Sequence, residues 1–186
     1  MKEGGKLAGG NPARGRAEND FYATHSDSVK ALLEVEEVIY PALEPACGEG
    51  HISKFLTGET TSTDLVYRGY GSYQADFLTD EFGRYETIIT NPPFNLFQEF
   101  VERALSLANK KVIMFGKLQA LEGQKRATFL QGTPLKTVYV FKRRQQPMRN
   151  GKENDEITGK KMSSTMAFAW FVWEIGYQGK PQIEWI

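Results

Sequence analysis

The sequence predicts an α/β protein with a single doubly wound sheet, mostly parallel, with one antiparallel strand near the C-terminus. Short apolar segments that indicate strands alternate with segments that have one apolar helical face. The strand segments are apolar nearly throughout, which is typical of parallel strands covered by helices on both faces. A length of 186 residues is enough for one domain with a substantial core and short for two.

The elements of the first half of the chain follow a basic, glycine-rich segment. Residues 1–20 carry almost no apolar side chains, so we expect a flexible arm there and one domain over 21–186. Apolar residues at helical spacing then predict a first helix, with Ser26 and Asp27 placed to cap it. The predicted segments that follow are a strand over 38–43, a short helix over 52–56, and strands over 60–63, 74–77 and 85–90.

The second half continues the same alternation. The predicted segments are a helix over 97–108, a strand over 112–115, a helix over 120–130 and a strand over 135–141. Residues 165–175 are apolar at both alternating sets of positions, which places this strand inside the sheet and not at its edge. No helical segment separates it from the preceding strand, so we expect the two strands to pair antiparallel.

A long loop over 142–162 joins these two strands. It holds seven basic residues and three acidic ones, and it is too long to serve only as a connector. A solvated hairpin and a phosphate-contacting loop both fit this composition.

Composition excludes several classes of protein. Lys plus Arg equals Asp plus Glu at 23 each, so any phosphate contact must come from local clustering of charge. Cys47 is the only cysteine, which excludes an internal disulfide and a cysteine-based zinc site, and two histidines are too few for a His cluster, so we predict no metal. No apolar run approaches the ~20 residues of a membrane span, and there is no signal-peptide core, so we expect a cytoplasmic protein without membrane contact.

The most informative segment is Asn91-Pro92-Pro93-Phe94, directly after the strand over 85–90. Two prolines have no N–H to donate and restrict the residues before them, so the chain must leave the sheet here. The Asn91 side chain and the adjacent main-chain carbonyl are two convergent acceptors that can hold an NH2 group. Phe94 offers a flat face on which a planar ring carrying that NH2 can stack.

A second group of residues indicates a ligand at the carboxyl ends of the strands. Glu44 begins a turn that contains Gly48 and Gly50, and such a turn lets backbone approach a ligand closely. An acidic residue at this position does not suit a pyrophosphate and favours a ligand with a cationic end. Asp64 follows the next strand and is placed to accept from a ribose diol, and Asp76, after the third, could take an adenine amino group.

Together these motifs resemble the S-adenosylmethionine-dependent amino-methyltransferases, and specifically their N6-adenine branch. The resemblance rests on Leu43 to Gly50, Asp64, Asp76-Phe77-Leu78 and Asn91 to Phe94, in that order, and covers roughly residues 21–175. Phe21-Tyr22-Ala23-Thr24 resembles the N-terminal cofactor motif of that group, although His25 stands where a proline is usual. The small size, the basic arm and the late aromatic strand are also similar to phage-encoded members.

The resemblance implies a Rossmann-like class I methyltransferase fold, S-adenosylmethionine as cofactor and DNA as partner. Thr24 and the glycine turn would hold the methionine part, Asp64 the ribose and Asp76 the adenine. The full cofactor-binding set that it implies is Thr24, Glu44, Ala46, Gly48, Gly50, Asp64, Leu65, Asp76, Phe77 and Asn91. The catalytic residues that it implies are Asn91, Pro92 and Phe94. Cys47 is then a small residue packed under the turn and not a nucleophile.

One departure from that group concerns the substrate. Only about ten residues follow the last predicted strand, so we expect no separate target-recognition domain and low sequence selectivity. The arm, the loop over 142–162 or a second subunit would then supply the contacts, with Arg143, Arg144, Arg149 and Phe168 as candidate substrate-binding residues.

Three alternatives remain open. They are an RNA adenine methyltransferase, a protein glutamine methyltransferase, whose similar tetrapeptide usually ends in Tyr where Phe94 stands here, and a non-catalytic cofactor-binding subunit.

Overall fold

The computed structural model describes residues 21–145, 147–149, 151 and 166–186. In these residues ten strands and three α-helices alternate along the chain. The strands are β1 Tyr22–Ala23, β2 Ala42–Glu44, β3 Thr60–Asp64, β4 Tyr73–Gln74, β5 Tyr85–Thr90, β6 Ala108–Lys117, β7 Leu135–Val140, β8 Met148–Arg149, β9 Phe168–Glu174 and β10 Gln182–Trp185. The helices are α1 Ser26–Leu33, α2 Phe97–Leu107 and α3 Gln124–Gln131.

Eight of these strands form one sheet in the order β10-β7-β9-β6-β5-β2-β3-β4. All neighbouring pairs are parallel except the two that involve β9, which runs antiparallel to both β6 and β7. Trp170, Phe171 and Trp173 of β9 are fully buried, because this strand is covered on both faces and paired on both edges. The predicted fold class, including the internal antiparallel strand, is confirmed.

Helices cover both faces of the sheet. On one face, α1 buries Val29 and Leu32 in a cluster with side chains of β5, β6 and β9. On the other face, α2 places its apolar residues one turn apart and buries them against the same strands. The buried residues of α2 are Phe100, Val101, Ala104 and Leu107.

A separate two-stranded ribbon lies outside the main sheet. In it β1 pairs antiparallel with β8, so that Tyr22 lies opposite Arg149 and Ala23 opposite Met148. The ribbon therefore joins the N-terminal end of the domain to the described part of the basic loop. The predicted arm over 1–20 and most of the loop over 142–162 lie outside the described residues.

Several element boundaries differ from the sequence prediction. β2 begins at Ala42 and not at residue 38, since Pro41 has no amide hydrogen with which to continue the ladder. The short helix predicted over 52–56 is a single 3₁₀ turn, Ser53–Phe55, and β4 comprises only Tyr73–Gln74. His25, and not Ser26 or Asp27, caps α1, because its Nδ1 atom accepts from the Asp27 amide at 3.2 Å.

Two further differences lie in the second half. The helix predicted over 120–130 is divided into a 3₁₀ turn, Leu118–Leu121, and α3, because Gly123 between them has φ of +105°. β10 was not predicted at all. It pairs parallel with β7 at the edge of the sheet, and its side chains are exposed on both faces. None of the helices in the described part of the chain has the length and apolar character that crossing a bilayer requires.

Candidate active site

The carboxyl ends of β2, β3 and β5 open into a solvent-accessible cavity. These three strands are adjacent in the sheet, so residues that follow them meet at one edge even though they are far apart in sequence. The sequence-predicted residues that line the cavity are Thr24, Glu44, Ala46, Asp64, Leu65, Asp76, Phe77, Asn91, Pro92 and Phe94. Gly48, Gly50, Arg143, Arg144 and Phe168 do not line it.

The two ends of the Asn91 amide have different surroundings. The Nδ2 atom donates to the main-chain carbonyl of Tyr22 at 2.6 Å. A carbonyl only accepts hydrogen bonds, so this contact requires the NH2 end of the amide to face Tyr22. The Oδ1 atom is buried and accepts no hydrogen bond from the described residues. A buried acceptor without a donor is costly, so Oδ1 is free to accept a hydrogen bond from a donor that enters the cavity.

The next residue, Pro92, has a second acceptor without a donor. The Pro92 carbonyl receives no hydrogen bond from the described part of the chain, whereas the Pro93 carbonyl accepts from the Leu96 amide at 2.9 Å in the 3₁₀ turn Phe94–Leu96. Pro92 and Pro93 keep this segment out of the ladder because neither has an amide hydrogen. The tetrapeptide thus has two acceptors without a donor among the described residues, on two residues that both line the cavity.

Phe94 is a half-buried ring in an aromatic group. Its centroid lies 5.7 Å from the Tyr22 ring and 5.4 Å from the Phe168 ring, and the Lys117 ammonium sits 5.0 Å from it. Phe168 is only 6% exposed and stacks on Phe115 with an interplanar angle of 5°. In this structure Phe168 supports Phe94 from the core, while Tyr22 is the second aromatic ring that lies both beside Phe94 and in the cavity wall.

Glu44 is buried and hydrogen-bonded at the end of β2. Its Oε2 atom accepts from the Ser53 amide at 2.8 Å and, at shorter distance, from the Ser53 hydroxyl. Burial raises the pKa of the Glu44 carboxyl to about 8, although both Ser53 hydrogen bonds favour the charged form. The carboxyl is therefore mostly protonated at pH 7 unless a cation lies close to it, so its negative charge is conditional on the ligand.

Among the described residues, three donors hold Asp64 at the end of β3. Its Oδ2 atom accepts from the Gly48 amide at 2.8 Å, and its Oδ1 atom accepts from the Val66 amide at 2.9 Å and from Arg68 at 3.0 Å. Two bonds fill the lone pairs of Oδ1, and the described residues leave one acceptor position on Oδ2. Leu65 beside it is 62% exposed and presents an apolar surface to the cavity.

Asp76 has a looser environment. Its Oδ1 atom accepts from the Leu78 amide at 2.9 Å, which closes a turn after β4. Its Oδ2 atom accepts no hydrogen bond from the described residues. Asp76 can therefore accept a further donor without losing a structural contact, whereas Asp64 offers one position only.

The glycine turn is covered by aromatic rings. Gly48 has φ of +54°, and a β-carbon there would collide with the Phe21 ring, while Gly50 has φ of +79° and lies equally close to the Tyr70 ring. Burial raises the pKa of the Cys47 thiol to about 12, so the thiol stays protonated near neutral pH. The turn does not open an α-helix, and the free helical N–H groups expected from the sequence reduce to those of the 3₁₀ turn Ser53–Phe55.

Among the cavity residues that were not assigned from the sequence, three have polar or charged groups of interest: Tyr22, Arg68 and His51. Tyr22 acts through its carbonyl, which side-chain patterns do not reveal. Arg68 bridges Asp64 and lies 4.6 Å from the centroid of the Phe21 ring. His51 lines the cavity with a buried Nδ1 atom that has no partner among the described residues, and burial lowers its pKa. The only local signal for Arg68 is its spacing of four residues from Asp64.

The basic residues proposed for substrate contact lie next to this edge of the sheet. Arg143 and Arg144 are exposed and follow the carboxyl end of β7. The backbone of Arg149 lies opposite Tyr22 in the β1–β8 ribbon. The structure thus places the backbone of Arg149 beside Tyr22, a cavity residue, but leaves Arg143 and Arg144 outside the cavity wall.

No family model matches the chain, and no curated protein matches it. Solved structures do. A protein assigned as a class I S-adenosylmethionine-dependent methyltransferase from Listeria monocytogenes is similar over 96% of this chain and 68% of its own, with a TM-score of 0.59 and 10% identity.

Two further solved structures have comparable TM-scores. A modification subunit assigned to a type I restriction enzyme from Vibrio vulnificus matches 94% of this chain with a TM-score of 0.55 and 12% identity, and this chain spans about half of it, 48%. The 23S rRNA methyltransferase ErmE matches 86% of this chain and 73% of its own, with a TM-score of 0.52 and 15% identity. At such identities the likeness concerns the fold: this chain has the fold of the class I S-adenosylmethionine-dependent methyltransferases.

Proposed function

We propose that this protein transfers a methyl group from S-adenosylmethionine to the N6 amino group of adenine in DNA, with low sequence selectivity. The observation that carries the proposal is the buried Oδ1 atom of Asn91, which has no donor among the described residues, as the carbonyl of the next residue, Pro92, has none. Two acceptors on adjacent residues match the two N–H groups of an exocyclic amine. Phe94 adds a ring on which the base can stack, an interaction worth ~1 to 3 kcal/mol.

The cavity residues fit the cofactor. The remaining acceptor position on Asp64 Oδ2 suits a ribose hydroxyl, the open Oδ2 atom of Asp76 suits an adenine amino group, and the exposed Leu65 side chain offers an apolar surface for the adenine ring. Glu44 lies in the same wall and gains its negative charge when a cationic group approaches. When bound, S-adenosylmethionine supplies an electrophilic methyl group.

The chain's own residues would act on the target amine through hydrogen bonding. The lone pair of an adenine amine is delocalised into the ring, which makes the amine a poor nucleophile. Acceptance of both N–H groups by Asn91 and Pro92 favours the pyramidal amine and stabilises the positive charge that develops on nitrogen. No covalent enzyme intermediate is needed, consistent with the protonated Cys47 thiol. A base in a duplex must first be flipped out of the stack.

A second candidate function is N6-adenine methylation of RNA. The similarity to an rRNA methyltransferase is of the same quality as the similarity to a restriction-modification subunit. The tetrapeptide makes the same contacts to adenine in either polymer. Two further alternatives are less well supported. Phe94 argues against a protein glutamine methyltransferase, whose tetrapeptide usually ends in Tyr. The intact acceptor pair argues against a non-catalytic subunit.

Incubation with labelled S-adenosylmethionine tests the proposal. Duplex DNA, single-stranded DNA, RNA and a protein mixture are offered separately, and the labelled product is digested and identified. We expect N6-methyladenine in DNA at many sequence contexts. Label found only in RNA or only in protein, or methylation confined to one short motif, contradicts the proposal as stated.

A further inference from the structure

Lys117 lies at the last position of β6, beside the tetrapeptide. β5 and β6 are parallel with Thr90 opposite Met114, so residues that follow Thr90 and residues that follow Met114 leave the sheet side by side. Lys117 is the third residue after Met114, as Pro93 is the third after Thr90. The register therefore brings Lys117 to the same edge of the sheet as Asn91 and Phe94.

The position of Lys117 is rigidly determined at the backbone. It pairs with Phe168 in the β6–β9 ladder, and the next amide, that of Leu118, donates to the Ala167 carbonyl at 2.9 Å. The side chain extends so that its ammonium is 5.0 Å from the centroid of the Phe94 ring. This is the range of a cation–π contact with the ring on which the target base is proposed to stack.

We propose that Lys117 binds a phosphate group adjacent to the target base, and that it thereby selects a nucleotide polymer as substrate. The inference rests on the proposed function and names the substrate chemistry that the site would recognise. A base stacked on Phe94 brings its own sugar phosphates to the neighbourhood of this ring. A Lys ammonium has three N–H donors on a long, rotatable side chain, so it can donate to a phosphate oxygen beside the ring while it keeps other contacts.

The surroundings of Lys117 support a phosphate. Lys142, Arg143 and Arg144 are exposed and follow the carboxyl end of β7, which is separated from β6 only by β9. Four basic residues therefore lie along one edge of a chain whose overall formal charge is zero. Local clustering of this kind attracts a polyanion backbone, whereas a glutamine side chain of a protein substrate carries no anion.

Two substitutions on the same strand provide a matched test. Lys117→Met keeps the aliphatic stem and removes the charge. Lys110→Met makes the same change at an exposed position near the opposite end of β6, next to the Ile175 amide and far from the site. Thermal unfolding of both variants checks that the fold is retained, and Lys117→Arg tests rescue by a different cation.

The substrate is a single-stranded oligonucleotide built around an adenine that the wild-type protein methylates. A second version carries uncharged methylphosphonates on both sides of that adenine. We expect Lys117→Met to reduce kcat/KM about tenfold on the normal oligonucleotide, and the methylphosphonates to reduce the wild-type value by a similar factor. When the two changes are combined, kcat/KM should fall little further than with either change alone, because both remove the same interaction.

The outcomes separate the two proposals. Penalties that multiply in the combination, or a Lys117→Met variant that behaves like Lys110→Met, overturn the role of Lys117 and leave the methyltransferase proposal intact. A wild-type protein that binds S-adenosylmethionine but methylates no nucleic acid overturns the proposed function, and the role of Lys117 with it.

Discussion

The side-chain amide of Asn91 donates to the main-chain carbonyl of Tyr22, 69 positions earlier in the chain, at 2.6 Å. This one hydrogen bond determines which end of the amide faces the cavity. It also links the tetrapeptide to β1, which pairs with β8 in the basic loop. The acceptor proposed for the target amine is thus oriented by a segment that belongs neither to β5 nor to the main sheet.

Replacement of Asn91 tests the acceptor pair. Asn91→Ala should lower kcat by about 10²- to 10³-fold, the range seen when one polar group of a preorganised charge-stabilising site is removed. Cofactor affinity measured by calorimetry should change little, because the amide is proposed to hold the target amine. Asn95→Ala is the matched control, since Asn95 is an exposed asparagine in the adjacent 3₁₀ turn. Near wild-type turnover in Asn91→Ala would contradict the mechanism.

Replacement of Asp64 tests the cofactor site. Asp64→Ala should weaken binding of S-adenosylmethionine or its demethylated product by at least about tenfold, since the variant has no acceptor in place of Oδ2. Some loss of stability is expected as well, because the Gly48 amide and Arg68 lose their partner. Asp27→Ala on the exposed face of α1 serves as control. Unaltered affinity in a folded Asp64→Ala protein, or no binding to the wild type, would remove the cofactor assignment.

Glu44 predicts an unusual dependence of stability on pH. Its pKa is about 8 in the folded protein against an ordinary value of 4.5. At pH values between these two, the folded state therefore binds more protons than the unfolded state. The free energy of unfolding should therefore fall as pH rises from about 4.5 to 8, by at most about 5 kcal/mol from this group. Glu44→Gln keeps an acceptor for Ser53 and cannot ionise, so it should flatten the profile.

The measurement for Glu44 is a series of urea unfolding midpoints between about pH 5 and pH 8. Glu99→Gln, at an exposed position of α2, controls for the change of charge alone. If wild type and Glu44→Gln lose stability with the same slope over this range, the buried carboxyl is not the group responsible.

The basic loop should act on nucleic acid and not on the cofactor. Replacing Arg143, Arg144 and Arg149 with Ala should raise the apparent KM for DNA. The slope of log KM against log salt concentration should fall by about 0.9 for each duplex phosphate that the variant no longer neutralises. Arg84→Ala is a matched control, because Arg84 is exposed and precedes β5 at the opposite edge of the sheet. An unchanged salt slope in the triple variant would exclude these phosphate interactions.

The local sequence was sufficient to predict the strands that are buried on both faces. β5 was predicted at its observed bounds, and the internal position and antiparallel direction of β9 were confirmed. Both strands are covered on both faces, so burial forces nearly every side chain to be apolar and leaves a pattern in a short window. The ends of β3 and β5 then placed Asp64 and Asn91 at one edge of the sheet.

Tertiary structure alone decided what those side chains contact. β10 is a short strand in which Ile183 and Trp185 alternate with polar residues but stay exposed, so four residues gave too little pattern for a prediction. The edge of β7 supplies its hydrogen-bond partners. Gly48 donates to the carboxylate of Asp64 from 16 positions earlier, Glu44 is neutralised by burial, and Tyr22 orients Asn91 through a backbone atom. Hydrogen bonding and desolvation depend on atoms brought together from distant positions, and a residue's own neighbours in sequence do not specify them.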